Sequence, residues 1–558
     1  MDDADIRDPK LHDVQRGLFV FIPGLPARTR RGAPLWQSLV QRLSDDLAPN
    51  WRVKVFEHGL TATSRTDLDQ VVRHLAAQLR DWTGELSDDV EPPDAIILAG
   101  HSFGGILARA AFLHDASTPE RPGRRWTELV RRIVLLGSPN AGYRTDAPGT
   151  PLAWRLAYAI ATPFYDFTIE KVQAGGYWIT DLRLRWLEAY RAKVERPPVV
   201  QVLGTSDWLV THDDIVDQRF MPGAKVYEIP GADHGGLISI DTAPDPQRRY
   251  LQLKTAIMGR SDEALDERQT PKPEATAFIL HGIRASALGT WVQDLGTAYK
   301  AASGSEQTKV ISPDTGYFSA MEFALPGTRR RKVHEFLKLY GDAYATRDPD
   351  RFVFAGHSNG TYMMARALDR VPAMRFKRIY LAGTVLPRRY DWQRLFDDEQ
   401  IRKDDGNGWE PGDVRIDRAT SDVPVGILCS WLRGLGSVDV GTAGVDGFEN
   451  VAMANFDQSR RFHGGHGAAL ENEAQLTAIA RYLHDGSGDP GPDDATSSMF
   501  SRASRLVGLR LVSWLALLGL GALAALGLVK LGRAKGPRVA AATGGAGAIG
   551  LWALLRSI

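Results

Sequence analysis

The sequence predicts an α/β fold that is repeated in two consecutive halves and is followed by a C-terminal transmembrane helix or hairpin. Three observations support this prediction. Apolar β-rich runs alternate with helical stretches, a pattern typical of mostly parallel sheets covered by helices on both faces. The pattern Gly-His-Ser-X-Gly occurs twice, around Ser102 and Ser358, each time directly after such a run. The end of the chain carries long stretches without any charge.

The two halves repeat their apolar runs in the same order. LFVFIPGLP returns as AFILHGIR, RRIVLLGSP as KRIYLAGTV, PPVVQVLGTSDWLV as VPVGILCSWLRG, and GADHGGL as GGHGAAL. We therefore predict a first domain at residues 1–258 with a cap insert at about 150–195, and a second, more degenerate domain at 275–484. A charged, proline-bearing linker at 259–274 separates them, and a flexible linker follows at 485–509.

Residues 510–558 are predicted to form a transmembrane anchor of one or two helices. The uncharged run from Leu511 to Val529 would span about 28 Å as a helix, close to the roughly 30 Å of a bilayer core. A second uncharged run lies between Val539 and Leu555, so the sequence does not decide between one transmembrane span and two. Because the N-terminus MDDADIRDP does not have the composition of a signal peptide, we expect a protein anchored by its C-terminus with cytoplasmic catalytic domains.

Composition excludes several classes of protein. Hydrophobic residues make up 43% and charged residues 24%, as in globular proteins, and the net charge of +1 argues against nucleic acid as the main partner. The single cysteine, Cys429, cannot form an internal disulfide and is interpreted as a buried structural thiol. Histidines are scattered, and those around His463 lack further ligands at a known spacing, so neither a metal nor a cofactor is predicted.

Both serines have the surroundings of a nucleophile elbow, a sharp turn between a strand and a helix. The runs DAIILAG and RFVFAG precede them, and helical stretches follow. A serine on such a turn has a strained backbone, and glycines two positions away on each side let the strand and helix approach. A serine hydroxyl also needs an imidazole to accept its proton and a carboxylate to orient that imidazole, in the chain order Ser, acid, His.

In the first half, Ser102, Asp207 and His234 satisfy this order. Asp207 follows the run VVQVLG, and His234 lies in the glycine-rich loop GADHGG after the run KVYEIP. Other carboxylates compete for the role of the acid, namely Asp213, Asp214, Asp217 and Asp233. Asp233 is disfavoured because it is next to His234 and would point away from it.

Both halves resemble α/β-hydrolases, and the first resembles the lipase and esterase branch. The residues that carry this resemblance are GHSFGGILAR, FVFIPGLP ahead of Trp36, and LLGSPNAG after the elbow. Pro23 departs from the pattern, since this branch often has histidine there, as the second half does at His281. The resemblance implies backbone donors for an oxyanion, and these fall at Leu25, Phe103, Ile283 and Asn359.

The second half lacks an obvious acid. Ser358 and His466 match the first half, and His466 is preferred to His463 because it falls opposite His234. Aligning GTSDWLV with LCSWLRG leaves nothing opposite Asp207, so Asp439 is predicted as a substitute acid, with Asp446 as the alternative. The second half is therefore either a working hydrolase or a domain that regulates or binds substrate.

Together these features predict a membrane-anchored serine hydrolase that cleaves carboxylic esters through an acyl-enzyme on Ser102, as a lipase, phospholipase or esterase does. The partners would be a lipid or acyl-ester substrate and the membrane, with homo-oligomerisation left open, and the aromatic-rich cap insert would form a lid. The alternative is a membrane-perturbing effector whose C-terminal hairpin acts while the hydrolase-like domains sense a ligand. The same triad could also cleave thioesters or peptides.

Overall fold

The computed structural model of the chain describes residues 11, 13–25, 33–85, 90–118, 125–144, 167–192, 196–210, 212–221, 223–259, 272, 274–282, 290–305, 307–312, 320–324, 326–404, 409–488 and 506–535. The chain divides into two compact units. The first comprises Met1–Pro271 with Tyr344–Thr346, and the second comprises Lys272–Ala343 and Arg347–Ile558. The boundary at Pro271 falls within the predicted linker 259–274.

The first unit is built on a six-stranded parallel sheet. Its strands are β1 (Gly17–Ile22), β2 (Trp51–Val55), β3 (Ala95–His101), β4 (Val130–Leu136), β5 (Val199–Gly204) and β6 (Lys225–Ile229). They lie in the order β2-β1-β3-β4-β5-β6. Since all strands run in the same direction, the loops at their carboxyl ends lie along one edge of the sheet, where the predicted catalytic residues are found.

Helices cover both faces of this sheet. They are α1 (Gln37–Leu47), α2 (Leu68–Trp82), α3 (Phe103–Ala116), α4 (Trp126–Leu129), α5 (Thr168–Lys171), α6 (Tyr177–Arg191) and α7 (Pro246–Met258), with 3₁₀ turns at His212–Phe220 and Ile240–Thr242. α2 shows why such segments are helical: Asp67 caps its first turn, and its buried residues recur at helical spacing. α3, which follows the nucleophile elbow, is buried along most of its length, as a helix at the centre of the fold must be.

Two apolar clusters form the core of the first unit, one on each face of the sheet. One packs α2 and α3 against the strands through residues such as Leu75, Ile96 and Ile106. The other packs α1 and α7 through Leu39 and Leu253. Strands β1, β3 and β5 are buried throughout, which explains why they read in the sequence as continuous apolar runs.

The second unit contains a parallel sheet that is similar to the sheet of the first unit. Its strands are β7 (Thr276–Leu280), β8 (Lys309–Ile311), β9 (Phe352–His357), β10 (Arg378–Ala382), β11 (Arg402–Asp404), β12 (Trp409–Pro411), β13 (Asp413–Ala419), β14 (Phe456–Asp457) and β15 (Arg461–Phe462). The main sheet has the order β8-β7-β9-β10-β13-β14, with β15 also paired to β13, and β11 pairs with β12 alone. This order matches that of the first unit, strand for strand.

The helices of the second unit are α8 (Trp291–Ser303), α9 (Ala320–Ala324), α10 (Pro326–Thr346), α11 (Asn359–Arg370), α12 (Trp392–Asp397), α13 (Ser430–Gly434), α14 (Ala443–Asp446) and α15 (Glu473–Asp485). The last three residues of α10, Tyr344–Thr346, are assigned to the first unit. One predicted strand is wrong. The run VPVGILC, aligned by sequence with β5, forms a π-helical turn at Pro424–Cys429 that leads into α13. The position of β5 in the sheet is taken instead by β13, so the sequence alignment of this region was out of register.

The last described element is the helix α16 (Arg510–Lys535). Its apolar side chains are largely exposed, with Leu511, Leu518 and Leu523 each more than 60% accessible. Within the described part of the chain, which omits several side chains of this helix, no helix is both long enough and apolar enough to cross a membrane. The second predicted span, within 536–558, lies outside the described residues, as do most of both predicted linkers and residues 150–166 of the cap insert.

Candidate active site

Ser102 lies on the turn between β3 and α3 in a conformation that L-residues rarely adopt. Its φ and ψ are 53° and −120°, and those of Ser358 between β9 and α11 are 55° and −123°. Positive φ at a non-glycine residue stores strain that the surrounding structure must offset. Both Gly-His-Ser-X-Gly motifs therefore form the sharp strand-to-helix turn that the sequence predicts.

Three predicted side chains of the first unit meet at the carboxyl edge of its sheet. His234 Nε2 lies 2.8 Å from Ser102 Oγ, and His234 Nδ1 lies 2.9 Å from Asp207 Oδ2. The Asp207 side chain is fully buried, whereas the imidazole is 20% accessible. These three groups form one continuous hydrogen-bonded chain from the carboxylate to the hydroxyl.

Asp207 is held in place by its second oxygen. Oδ1 accepts hydrogen bonds from the backbone N–H groups of Leu209 and Val210, at 2.9 and 3.2 Å. The competing carboxylates that the structure describes are engaged elsewhere. Asp217 forms a buried two-pronged ion pair with Arg183, and Asp233 accepts from the Gly236 N–H. The side chains of Asp213 and Asp214 lie outside the described residues.

His101, which precedes the nucleophile, has a role that explains histidine at this place in the motif. Its Nε2 lies 2.9 Å from the carbonyl oxygen of His234, and because a carbonyl only accepts, the imidazole donates this bond. Burial lowers the pKa of His101 to about 3, so the ring is neutral at physiological pH. The bond ties the loop of the base to the nucleophile turn. In the second unit His357 donates the equivalent bond to His466.

The loop after β1 is supported by a histidine that the sequence analysis did not identify. His58 Nδ1 accepts the Leu60 N–H at 3.0 Å, so its Nε2 carries the proton and faces the carbonyl oxygens of Pro23 and Gly24, both at 3.2 Å. Burial lowers the pKa of His58, which favours this neutral form. Leu25, one predicted oxyanion donor, follows these carbonyls directly. His58 therefore holds the loop from β2, in a chain that has proline where related hydrolases often have histidine.

Phe103, the other predicted oxyanion donor of this unit, begins α3. The hydroxyl of Tyr143 lies 2.8 Å from Oγ of Ser102, the residue before it. Tyr143 was not predicted, because its motif LLGSPNAGY gives no local sign that the side chain reaches the nucleophile. Beside these groups lies a cavity of about 290 Å³, lined by Leu25, Trp36, His58, His101 and Ile238 among others.

The second unit has an aspartate–histidine pair, but the acid is not the predicted one. Asp422 Oδ2 lies 2.8 Å from His466 Nδ1, and Asp422 Oδ1 accepts the Val425 N–H at 2.9 Å. Asp439 instead accepts a hydrogen bond from the Tyr362 hydroxyl at 2.8 Å and pairs with Arg329. The prediction of Asp439 was wrong because its alignment took the helical run VPVGILC for the strand that β13 provides.

The other predicted residues of the second unit are not joined to this pair. Asp446 accepts from Thr442, and His463 is exposed. Asn359 begins α11, and Ile283 lies outside the described residues. Cys429 is buried, and burial raises the pKa of its thiol, as expected of a structural cysteine.

Ser358 differs from Ser102 in one respect. Among the described residues, none shares a hydrogen bond with its hydroxyl, whereas Ser102 Oγ is bonded to both His234 and Tyr143. The Ser358 side chain packs closely on the loop after β7, since a Cβ at Gly282 would lie 2.7 Å from Ser358 Oγ. In the second unit the base and acid are paired, but the nucleophile is not connected to them.

Across the described residues, no cluster of histidine, cysteine and carboxylate groups could hold a metal ion.

Comparison with known proteins bears on the first unit. Residues 19–249 match the model of the alpha/beta hydrolase family. The match spans less than half of the chain and lies within the first unit, whose parallel sheet and strand-to-helix turn are those of an alpha/beta hydrolase fold. No curated protein matches the chain significantly.

Solved structures similar to this chain include Est1E from Butyrivibrio proteoclasticus, with 14% identity, 44% of this chain and 90% of that chain covered, and a TM-score of 0.27. The RedJ thioesterase from the prodiginine pathway of Streptomyces coelicolor has 16% identity, covers 43% and 85%, and has a TM-score of 0.26. ClbQ from the colibactin NRPS/PKS pathway has 14% identity, covers 43% and 96%, and has a TM-score of 0.25.

Proposed function

We propose that this alpha/beta hydrolase is a serine hydrolase that cleaves carboxylic esters through an acyl-enzyme on Ser102. One observation carries the proposal: the 2.8 Å contact between Ser102 Oγ and His234 Nε2, continued by the 2.9 Å contact between His234 Nδ1 and Asp207. Each distance lies within hydrogen-bond reach, so the base can take the proton of the nucleophile while the acid orients the base.

The protonation states follow from these contacts. The ionised Asp207 carboxylate only accepts hydrogen bonds, so His234 Nδ1 carries a proton and Nε2 presents a lone pair to the serine hydroxyl. As Ser102 Oγ attacks the carbonyl carbon of an ester, its proton moves to His234 Nε2, and the carbonyl oxygen becomes an oxyanion. The buried carboxylate then stabilises the imidazolium.

Collapse of the tetrahedral intermediate completes acylation. The bond between carbon and leaving oxygen breaks, and His234 gives its proton to the departing alkoxide, which leaves as an alcohol. Water then attacks the acyl-enzyme with His234 as its base, and the acid is released with Ser102 restored. Backbone donors at Phe103 and Leu25 would stabilise the oxyanion in both steps.

The ester is proposed to be a lipid or another acyl ester near a membrane, with attachment through residues 510–558. Two observations support attachment: the uncharged sequence from Leu511 to Val529, and the exposure of the leucines of α16. In this proposal both units lie in the cytoplasm. A chain truncated after Ser498 should lose co-sedimentation with anionic vesicles while it retains hydrolysis of a soluble ester. Retained co-sedimentation would contradict attachment by this segment.

We propose that the second unit arose by duplication of the first. The equal strand order of the two sheets supports this, as do the strained serine, the Asp422–His466 pair and the bond from His357 to the base loop. The unconnected hydroxyl of Ser358 favours a unit that contributes less to turnover than the first.

Labelling with a fluorophosphonate, which reacts with activated serines, tests the serine mechanism and the smaller contribution of the second unit to turnover. Wild-type protein, Ser102→Ala, Ser358→Ala and the double variant should be compared, together with hydrolysis of p-nitrophenyl butyrate. We expect Ser102→Ala to lower turnover by a factor on the order of 10⁴ and to remove most of the label. Undiminished turnover in the double variant would overturn the serine mechanism.

A further inference from the structure

Tyr143 lies against the reacting atoms of the first unit and has no part in the triad. Its hydroxyl is 2.8 Å from Ser102 Oγ, and its side chain is 6% exposed. Phe103, whose backbone N–H is the donor expected to face the oxyanion, directly follows Ser102 in the chain. The phenol therefore touches the nucleophile, next to which the substrate oxygen must come to lie.

The direction of these bonds can be deduced from the number of protons available. Ser102 has one hydroxyl proton, and it is directed to His234 Nε2. The contact between Ser102 and Tyr143 must therefore use the tyrosine proton, so Tyr143 donates to Ser102 Oγ. In the substrate-free enzyme the phenol O–H is thus a hydrogen-bond donor aimed at the atom that attacks the substrate carbonyl.

The backbone around Tyr143 holds the phenol in this place. Its N–H donates to the Val172 carbonyl at 2.9 Å, and its carbonyl accepts the Ala174 N–H at 2.8 Å. Gly142 precedes it with φ of +96°, and a Cβ there would lie 2.7 Å from the Ala174 nitrogen, so only glycine permits the two segments to approach this closely. Tyr143 is therefore attached to the described part of the cap insert at both backbone groups.

We propose that Tyr143 is a catalytic residue that donates its O–H to the oxyanion that forms when Ser102 attacks the substrate carbonyl. The inference depends on the proposed serine mechanism. In the tetrahedral intermediate Ser102 Oγ is bonded to carbon and gives up its place as the acceptor. The adjacent oxyanion carries the negative charge and becomes the better acceptor for the same O–H.

The environment of the phenol suits a donor. Burial raises the pKa of Tyr143 to about 12, so the hydroxyl remains protonated throughout the pH range in which an esterase operates. The donor is also preorganised, because its side chain is buried and its backbone is bonded on both sides. It would act together with the backbone donors at Phe103 and Leu25.

Replacement of Tyr143 by phenylalanine removes only the hydroxyl and so tests the inference. For Tyr143→Phe we expect kcat on p-nitrophenyl butyrate to fall by about 10²-fold, with KM changed by less than about threefold, because the lost bond is made in the transition state. Inhibition by an alkyl trifluoromethyl ketone, which forms a tetrahedral oxyanion on serine, should weaken by a similar factor.

The matched control is Tyr190→Phe. Tyr190 is also buried, and its hydroxyl donates to the Pro197 carbonyl at 2.8 Å, so its loss costs a buried hydrogen bond away from the nucleophile. We expect its kcat and inhibitor affinity to stay within about twofold of the wild type. Equal thermal unfolding midpoints of the two variants would exclude misfolding as the cause of any difference.

Two results would overturn the inference. If Tyr143→Phe were as active as the wild type, the phenol would have no catalytic role, and if it were more active, the phenol would only obstruct the oxyanion site. Ser102→Ala is measured alongside: an inactive Ser102→Ala with an active Tyr143→Phe refutes this inference alone. An active Ser102→Ala would refute the serine mechanism itself.

Discussion

Replacing Asp207 by asparagine should inactivate the first unit without unfolding it. Two backbone N–H groups, of Leu209 and Val210, point at Asp207 Oδ1, so an asparagine must keep its oxygen there. Its NH₂ group is then placed at the Oδ2 position, 2.9 Å from His234 Nδ1. Because an amide nitrogen donates, the imidazole has to move its proton to Nε2, and Nε2 can no longer accept the proton of Ser102.

The wrong tautomer should lower kcat by about 10⁴-fold, which corresponds to about 5.5 kcal/mol of transition-state stabilisation. The assay is single-turnover hydrolysis of p-nitrophenyl butyrate at pH 7.5. Asp233→Asn is the control, because asparagine retains the oxygen that accepts the Gly236 N–H and the site is otherwise unchanged. If Asp207→Asn kept more than a tenth of wild-type turnover, the carboxylate would not set the tautomer, and the reasoning would fail.

Three further predictions follow from the structure. Asp422→Asn should abolish the low-field proton NMR signal of the hydrogen-bonded imidazole in the second unit, whereas Asp439→Asn should retain it. Gly104→Ala places a Cβ 2.0 Å from the Ile22 carbonyl oxygen, so we expect a loss of about 1–3 kcal/mol in the free energy of unfolding and of most activity. Gly465→Ala, whose Cβ meets open space, should change neither the free energy of unfolding nor the activity. Burial lowers the pKa of His334 from 6.5 to about 4, so its unfolded form binds more protons between these values, and stability falls as pH falls through this window. His334→Gln should reduce the stability lost between pH 7.5 and 5 by about 2 kcal/mol, as measured by urea unfolding.

The sequence was sufficient to predict the fold and the elbows because their signals are local. A buried parallel strand reads as an apolar run, and the turn at Ser102 needs small residues at fixed distances. Strands β3, β4 and β5, for example, coincide with apolar runs that the sequence analysis identified. The partners of Ser102 were also predictable, since Asp207 and His234 each follow such a strand directly.

The acid of the second unit could not be found from apolar runs. β13 alternates charged and apolar residues, and its Asp417 is fully buried because Arg460, Tyr380 and Gln475 satisfy the carboxylate. Those partners come from distant parts of the chain and cannot be read from the local sequence. The polar composition of β13 therefore predicts a loop, whereas the apolar run VPVGILC predicts a strand. A usable signal existed nevertheless. The tripeptide Thr-Ser-Asp ends at both Asp207 and Asp422.

Tyr143 and His58 were missed for another reason. Neither has a sequence signal that marks its side chain, and each reaches the nucleophile region only through the path of a loop, from β4 and from β2. Sequence spacing determines which residues follow a strand, but it does not determine which way a loop side chain turns. Such contacts can be predicted only once the packing of neighbouring loops is known.

The two units show that a paired acid and base do not by themselves make an active serine. A buried carboxylate such as Asp422 needs hydrogen-bond donors wherever it lies, and the Val425 N–H and the His466 imidazole supply them whether or not Ser358 reacts. The Asp422–His466 pair is therefore accounted for by the hydrogen-bonding needs of a buried carboxylate and carries no information about turnover. What separates the units is the serine hydroxyl, which is bonded to the base at Ser102 and not at Ser358. Preferential fluorophosphonate labelling of Ser102 is the expected consequence, and equal labelling rates at the two serines would show that the Ser358 side chain reaches His466 in solution.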